Sequence, residues 1–93
     1  MKYKIRDGIV LKNVCGEWLL IAVGKAAEHC LYVRHINDSM AWYWQLIEKG
    51  LDTDQIVNKA LENFEASEDT IRKDVNSLMD QLNEMGYLIE TES

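Results

Sequence analysis

At Asn37 the hydrophobic period of the chain changes from 2 to 3.6, and this change constrains the fold more than any other feature. Upstream, short β-branched and apolar runs are punctuated by glycine; downstream, apolar residues recur at helical spacing. Ile9-Val10-Leu11-Lys12-Asn13-Val14 reads as a strand, Cys15-Gly16-Glu17 as a turn, and Trp18-Leu19-Leu20-Ile21-Ala22-Val23 as the return strand of a hairpin. Residues 24–28 (GKAAE) fit a loop or one helical turn. Residues 31–36 make a third strand, and its basic Arg34 and His35 suit a sheet edge, where charge discourages indiscriminate pairing. Residues 1–7 read as a charged lead-in.

Three helices follow. Asn37 or Asp38 caps the first, which runs through Lys49 with Met40, Trp44 and Ile47 in line, Tyr43 and Leu46 widening the stripe, and Gly50 ending it. Asp52 with Gln55 has the spacing of a capping box, and Leu51 with Ile56 that of a hydrophobic staple. From there Ile56, Ala60, Leu61 and Phe64 are expected to face inward. The last helix starts at the N-cap Ser67, places Glu68 and Asp69 at the positive end of its dipole, and stops at Gly86. Ile71, Val75, Leu78, Met79, Leu82 and Met85 fall on one arc about 120° wide. One flank of that arc is Thr70, Asp74, Ser77 and Gln81; the other is Arg72, Asn76 and Asn83. Tyr87-Leu88-Ile89 is an extended exit, and residues 90–93 are expected to fray. The order predicts an α+β fold of winged helix-turn-helix type, a small three-stranded antiparallel sheet followed by three helices.

Ninety-three residues, 47% hydrophobic and 28% charged, suit one globular domain spanning 1–93. No apolar run approaches the roughly 20 residues of a membrane span, and the first residues lack the apolar core of a signal peptide. A cytoplasmic protein is the expectation. The net charge of −6 is uneven: residues 1–36 hold six Lys/Arg against three Asp/Glu, residues 37–93 four against thirteen. The helical part therefore repels phosphate and argues against nucleic acid as a partner. Cys15 and Cys30 suit reduced, half-buried thiols. His29, Cys30 and His35 form too loose a cluster for zinc, so neither metal nor cofactor is expected. The five glycines stand alone rather than in a phosphate-cradling loop, and no histidine is placed to activate a serine. The carboxylates Asp52, Asp54, Glu68 and Asp69 sit in first helical turns, where the dipole accounts for them. An enzyme is not expected. Trp42-Tyr43-Trp44 cannot form one stacking platform on a helix; Trp44 is expected in the core and Trp42 over a helix junction.

Residues 36–47 (INDSMAWYWQLI), then Gly50 with Asp52-Thr53-Asp54-Gln55-Ile56-Val57, then Phe64, Asp74-Val75, Leu78, Leu82 and Gly86-Tyr87-Leu88, resemble in order and separation the PqqD-like proteins. That family is also described as the RiPP precursor-peptide recognition element. Gly8-Ile9-Val10-Leu11 and Gly16-Glu17 are similar to its opening hairpin. Residues 24–32 match poorly, and Gln55 and Tyr87 replace the usual Glu and Leu. The resemblance implies a non-enzymatic binder that captures the leader segment of a ribosomally made precursor peptide. It presents that segment to a modifying enzyme, often a radical S-adenosylmethionine enzyme. The leader would add as a strand beside the third strand, with the last helix as the other wall. On this sequence the expected walls are Leu31, Tyr32, Val33, Arg34 and His35, facing Thr70, Asp74, Ser77, Leu78, Gln81 and Met85; the alternative helix wall is the opposite flank, Arg72, Asn76 and Asn83. A monomer or weak dimer is expected. The alternative is a winged-helix DNA-binding or transcription-regulatory module. A subunit docking on a large enzyme through Trp42, Trp18 or the acidic helices is compatible with leader capture.

Overall fold

The computed structural model describes residues 2–28 and 33–91. Strands β1 (Lys2–Ile5), β2 (Ile9–Val14) and β3 (Glu17–Ala22) lead into a 3-10 helix (Gly24–Glu28) and strand β4 (Val33–Ile36). Helices α1 (Asp38–Glu48), α2 (Thr53–Asn63) and α3 (Glu68–Glu84) follow, then strand β5 (Leu88–Thr91). β2, β3 and β4 form the expected three-stranded antiparallel sheet, with β3 in the centre.

Local chemistry explains the boundaries. The β2–β3 hairpin turns through Cys15 and Gly16, both at positive φ, as a two-residue turn between twisted strands requires. Cys15 is thus exposed at the hairpin tip and not half-buried; Cys30 lies outside the described residues. Asn37 caps α1 by accepting from the Met40 N–H at 2.8 Å. Asp52 and Gln55 form the reciprocal capping box of α2, each bond 2.9 Å long. Ser67 caps α3 through the Thr70 N–H. Helices α1 and α3 end alike: Leu51 N–H donates to Leu46 O and Gly50 to Ile47 O, as Tyr87 does to Leu82 O and Gly86 to Asn83 O. Both are the paired closure around a left-handed glycine that satisfies the last carbonyls of a helix.

One core takes its side chains from the sheet and all three helices. Trp44 and Tyr87 are fully buried at its centre, edge-to-face with ring centres 6.1 Å apart. Leu20 and Ile36 cover it from the sheet, and Ile71, Val75, Leu78, Met79 and Leu82 are the buried stripe of α3.

Three further expectations change. The charged lead-in is a strand: β1 pairs antiparallel with β5, placing Ile5 across from Leu88, so the exit continues in regular pairing as far as Thr91. Arg6 fastens this second sheet, its N–H donating to Tyr87 O and its Nε to Gly86 O at 2.7 Å. The third change is Phe64, which is 44% exposed. It is the C-cap of α2, with extended backbone (φ −126°, ψ 144°), so helical phase no longer sets its direction.

Candidate functional site

A cleft of about 370 Å³ lies between the start of α1 and one flank of α3. Its α1 side begins at Asn37, the residue immediately after β4, and continues through Ser39, Met40 and Tyr43. Its α3 side is Ile71, Asp74, Ser77, Leu78 and Gln81; Phe64 and Ala66, in the α2–α3 link, close one end. The floor is apolar and the rim carries amide, hydroxyl and carboxylate groups, a composition suited to holding a peptide side chain while hydrogen-bonding its backbone.

Helical spacing makes this wall. Asp74, Ser77 and Gln81 stand at three- and four-residue steps along α3, so they share one line beside the buried stripe, with Leu78 at the margin of that stripe. Leu78 serves both sides, buried in the core and exposed enough to form the floor. On the rim, the Gln81 side-chain amide donates to Ser77 Oγ at 3.4 Å. Burial, and secondarily the nearby Asp74 carboxylate, push the Tyr43 phenol up from its ordinary value, so Tyr43 enters the cleft as a neutral hydroxyl. Trp42 stands behind Tyr43 and meets it and Phe64 edge-to-face, with centroids 5.0 and 5.1 Å away. It therefore covers the junction between α1 and the α2–α3 link.

The opposite flank of α3 is otherwise engaged. Arg72 bonds Asp54 of α2 at 2.8 Å and approaches Glu68 at 3.7 Å, which keeps it off the cleft. Thr70 receives the Ser67 hydroxyl at 2.9 Å and belongs to the helix cap rather than to the cleft lining. Met85 is the C-cap of α3 and packs half-buried against the core.

Beside the cleft, β4 is the edge of its sheet: among the described residues it pairs with β3 alone. The register sets Ile36 across from Trp18, His35 from Leu19, Arg34 from Leu20 and Val33 from Ile21. Leu20 and Ile36 are buried, so Arg34 shares the helix-facing side, while Val33 (45% exposed) and His35 look outward. His35 approaches Glu17 at 3.8 Å on that outer side. Arg34 and His35, adjacent in sequence, thus serve opposite faces. Leu31 and Tyr32 fall outside the described residues. None of Val33, Arg34 and His35 lines the cleft itself; Asn37 carries the chain from the strand into it. Sequence reasoning placed Asp74, Ser77, Leu78 and Gln81 together but missed Asn37, Ser39, Met40, Tyr43 and Phe64. Asn37 was visible only as a cap, and Phe64 only as an apolar residue in helical phase.

No group of three or more His, Cys, Asp or Glu among the described residues is arranged to hold a metal ion. No helix among them is long and apolar enough to cross a membrane.

Two solved structures share this fold. One is TbiB1 in complex with the TbiA(beta) leader peptide: TM-score 0.79, 18% identity, covering 97% of this chain and 99% of that one. The other is a lasso peptide synthetase B1 complexed with the leader peptide: TM-score 0.78, 18% identity, 97% of this chain and 100% of that one. Comparison with curated proteins returns no match. The family model for coenzyme PQQ synthesis protein D (PqqD) matches residues 31–88, from before β4 to the start of β5. That match spans more than half of the 93 residues, and the chain belongs to the PqqD family.

Proposed function

We propose that this protein is a peptide-recognition domain that captures the leader segment of a ribosomally made precursor peptide and presents it to a modifying enzyme, itself doing no chemistry. The leader adds as a strand along β4, and its side chains enter the cleft whose far wall is Asp74, Ser77, Leu78 and Gln81. One observation carries this reading: a sheet edge that among the described residues pairs on one side only runs into an apolar-floored, polar-rimmed cleft. Free N–H and C=O groups on the edge supply affinity without regard to sequence, and the cleft selects alternate side chains. Support comes also from the family and from the two structural neighbours, both described as complexes with leader peptides. The chain works in the cytoplasm as a monomer or weak dimer, beside an enzyme that in this family is often of the radical S-adenosylmethionine kind.

The DNA-binding alternative has no comparable support. Helix α3 carries five acidic residues against two basic ones and would repel a phosphate backbone. Titrating the isotope-labelled protein with the leader of a precursor encoded beside its gene is the test. Amide shifts along β4 and the Asp74–Gln81 wall are expected. Their absence from both, at peptide concentrations far above micromolar, rejects leader capture.

A further inference from the structure

The edge strand beside the cleft carries a charge that the described chain leaves unanswered. Arg34 projects from the helix-facing side of β4, half-buried, with its Nε sealed from solvent and without a hydrogen-bond partner. The ion pairs among the described residues involve His35, Lys59 and Arg72, and none involves Arg34. This holds in a chain with sixteen acidic residues against ten basic ones, where carboxylates are plentiful. A buried donor without an acceptor is unfavourable, and native folds leave few of them. The unmet group stands on the edge strand, on the face that an added strand would share.

Register then specifies what meets it. Residues directly across from one another on neighbouring strands lie on the same face, and successive residues alternate faces. The side chain across from Arg34 therefore meets a planar guanidinium, whose fork matches a carboxylate with two parallel hydrogen bonds. Two positions along, the side chain across from Ile36 lies on the same face, where the chain passes into the cleft floored by Met40, Tyr43 and Leu78. On the outer face, Val10, Ile21 and Val33 form one aliphatic row across all three strands, with Val10 39% exposed and Val33 45% exposed. The side chain across from Val33 extends that row.

Resting on the leader-capture reading, we propose that the bound segment carries an aspartate or glutamate directly across from Arg34, making Arg34 the specificity-determining residue of the edge strand. Along the direction of β4 the recognised pattern is aliphatic, acidic, unconstrained, large apolar. Arg34 sets which leader is chosen; the backbone edge sets that a leader is held at all.

The test is selection of random decapeptides displayed on phage against the immobilised full chain, with wild type, Arg34→Gln and Arg34→Glu run in parallel. Melting curves establish that each variant is folded. Wild type is expected to enrich Asp or Glu two residues from a large apolar residue. Arg34→Gln is expected to lose the acidic preference, and Arg34→Glu to replace it with Lys or Arg. For one selected peptide, exchanging its acid for the amide should weaken binding to wild type by about tenfold or more and leave binding to Arg34→Gln almost unchanged. If peptides without an acid bind wild type and Arg34→Gln equally while still shifting the β4 amides, the role of Arg34 is overturned and leader capture stands. If no peptide is enriched, or none shifts β4, both fall.

Discussion

Replacing Gly8 by alanine tests how tightly the β1–β2 link is fastened to the chain that enters β4. Gly8 sits at φ +93°, and a Cβ there would stand 2.7 Å from the Val23 carbonyl oxygen and 3.1 Å from Ala26 Cβ. The two backbones are already tied, since the Val23 N–H donates to Gly8 O at 2.8 Å. Gly50 is a natural reference: its φ is +87°, yet a Cβ there meets nothing within 4 Å. Gly50→Ala therefore carries backbone strain alone, about 1–2 kcal/mol. Gly8→Ala carries similar strain plus an overpacked contact with main chain that no rotamer change relieves, a further cost of about 1–3 kcal/mol. Against the total of about 5–14 kcal/mol for a chain of 93 residues, the first variant is tolerated and the second approaches unfolding. Urea unfolding followed by tryptophan fluorescence reads the difference, with Gly8→Ala having the lower midpoint by about 1 M or more at unchanged slope. Coincident midpoints for the two variants would refute the reasoning, because the Val23 carbonyl would then be free to move aside.

The other predictions concern the fastening of α3 and the cleft. Arg6→Ala removes a charge-assisted bond to the end of α3 and leaves Gly86 O without its donor, so it should destabilise by about 1.5–3 kcal/mol in the same unfolding assay. Arg6→Lys, lacking the fork, should recover only part of this loss. Asp52→Ala breaks the capping box of α2 and should cost about 1 kcal/mol without changing the midpoint slope. Because the Tyr43 phenol is raised in the fold, the unfolded chain gives up that proton first. Tyr43 thus contributes stability that is full below about pH 10 and lost as pH rises further. Asp74→Asn should move the Tyr43 titration back towards its ordinary value, seen as the phenolate absorbance that disappears in Tyr43→Phe.

The elements whose chemistry is local were legible in the sequence. Asp52 and Ser67 cap the helices they were expected to cap, and of the two candidates Asn37 and Asp38 it is Asn37 that caps α1, because an N-cap depends on a residue and the three after it. The α3 stripe and its Asp74–Ser77–Gln81 flank followed from helical spacing alone. What failed depended on partners far along the chain. Lys2, Tyr3, Lys4 and Ile5 do alternate polar and apolar, but four residues are too short a signal without β5 to pair with. Arg34 and His35 were expected together as basic residues of a sheet edge, and the register puts them on opposite faces. Phe64 was assigned by helical phase one residue past the point where that phase applies.

The contact between Arg6 and Gly86 spans 80 positions, whereas the β2–β3 turn closes across three. Loop-closure entropy makes the longer tie about 3 kcal/mol dearer to form from an open chain. The hairpin and the capped helices can arise from neighbours as the chain is synthesised. The ribbon of β1 and β5 has no local route, and it holds the far end of the helix that supplies one wall of the cleft. A nascent chain therefore can close its β2–β3 hairpin long before β1 has a partner, and the far end of α3 is fastened only once Leu88–Thr91 has been made.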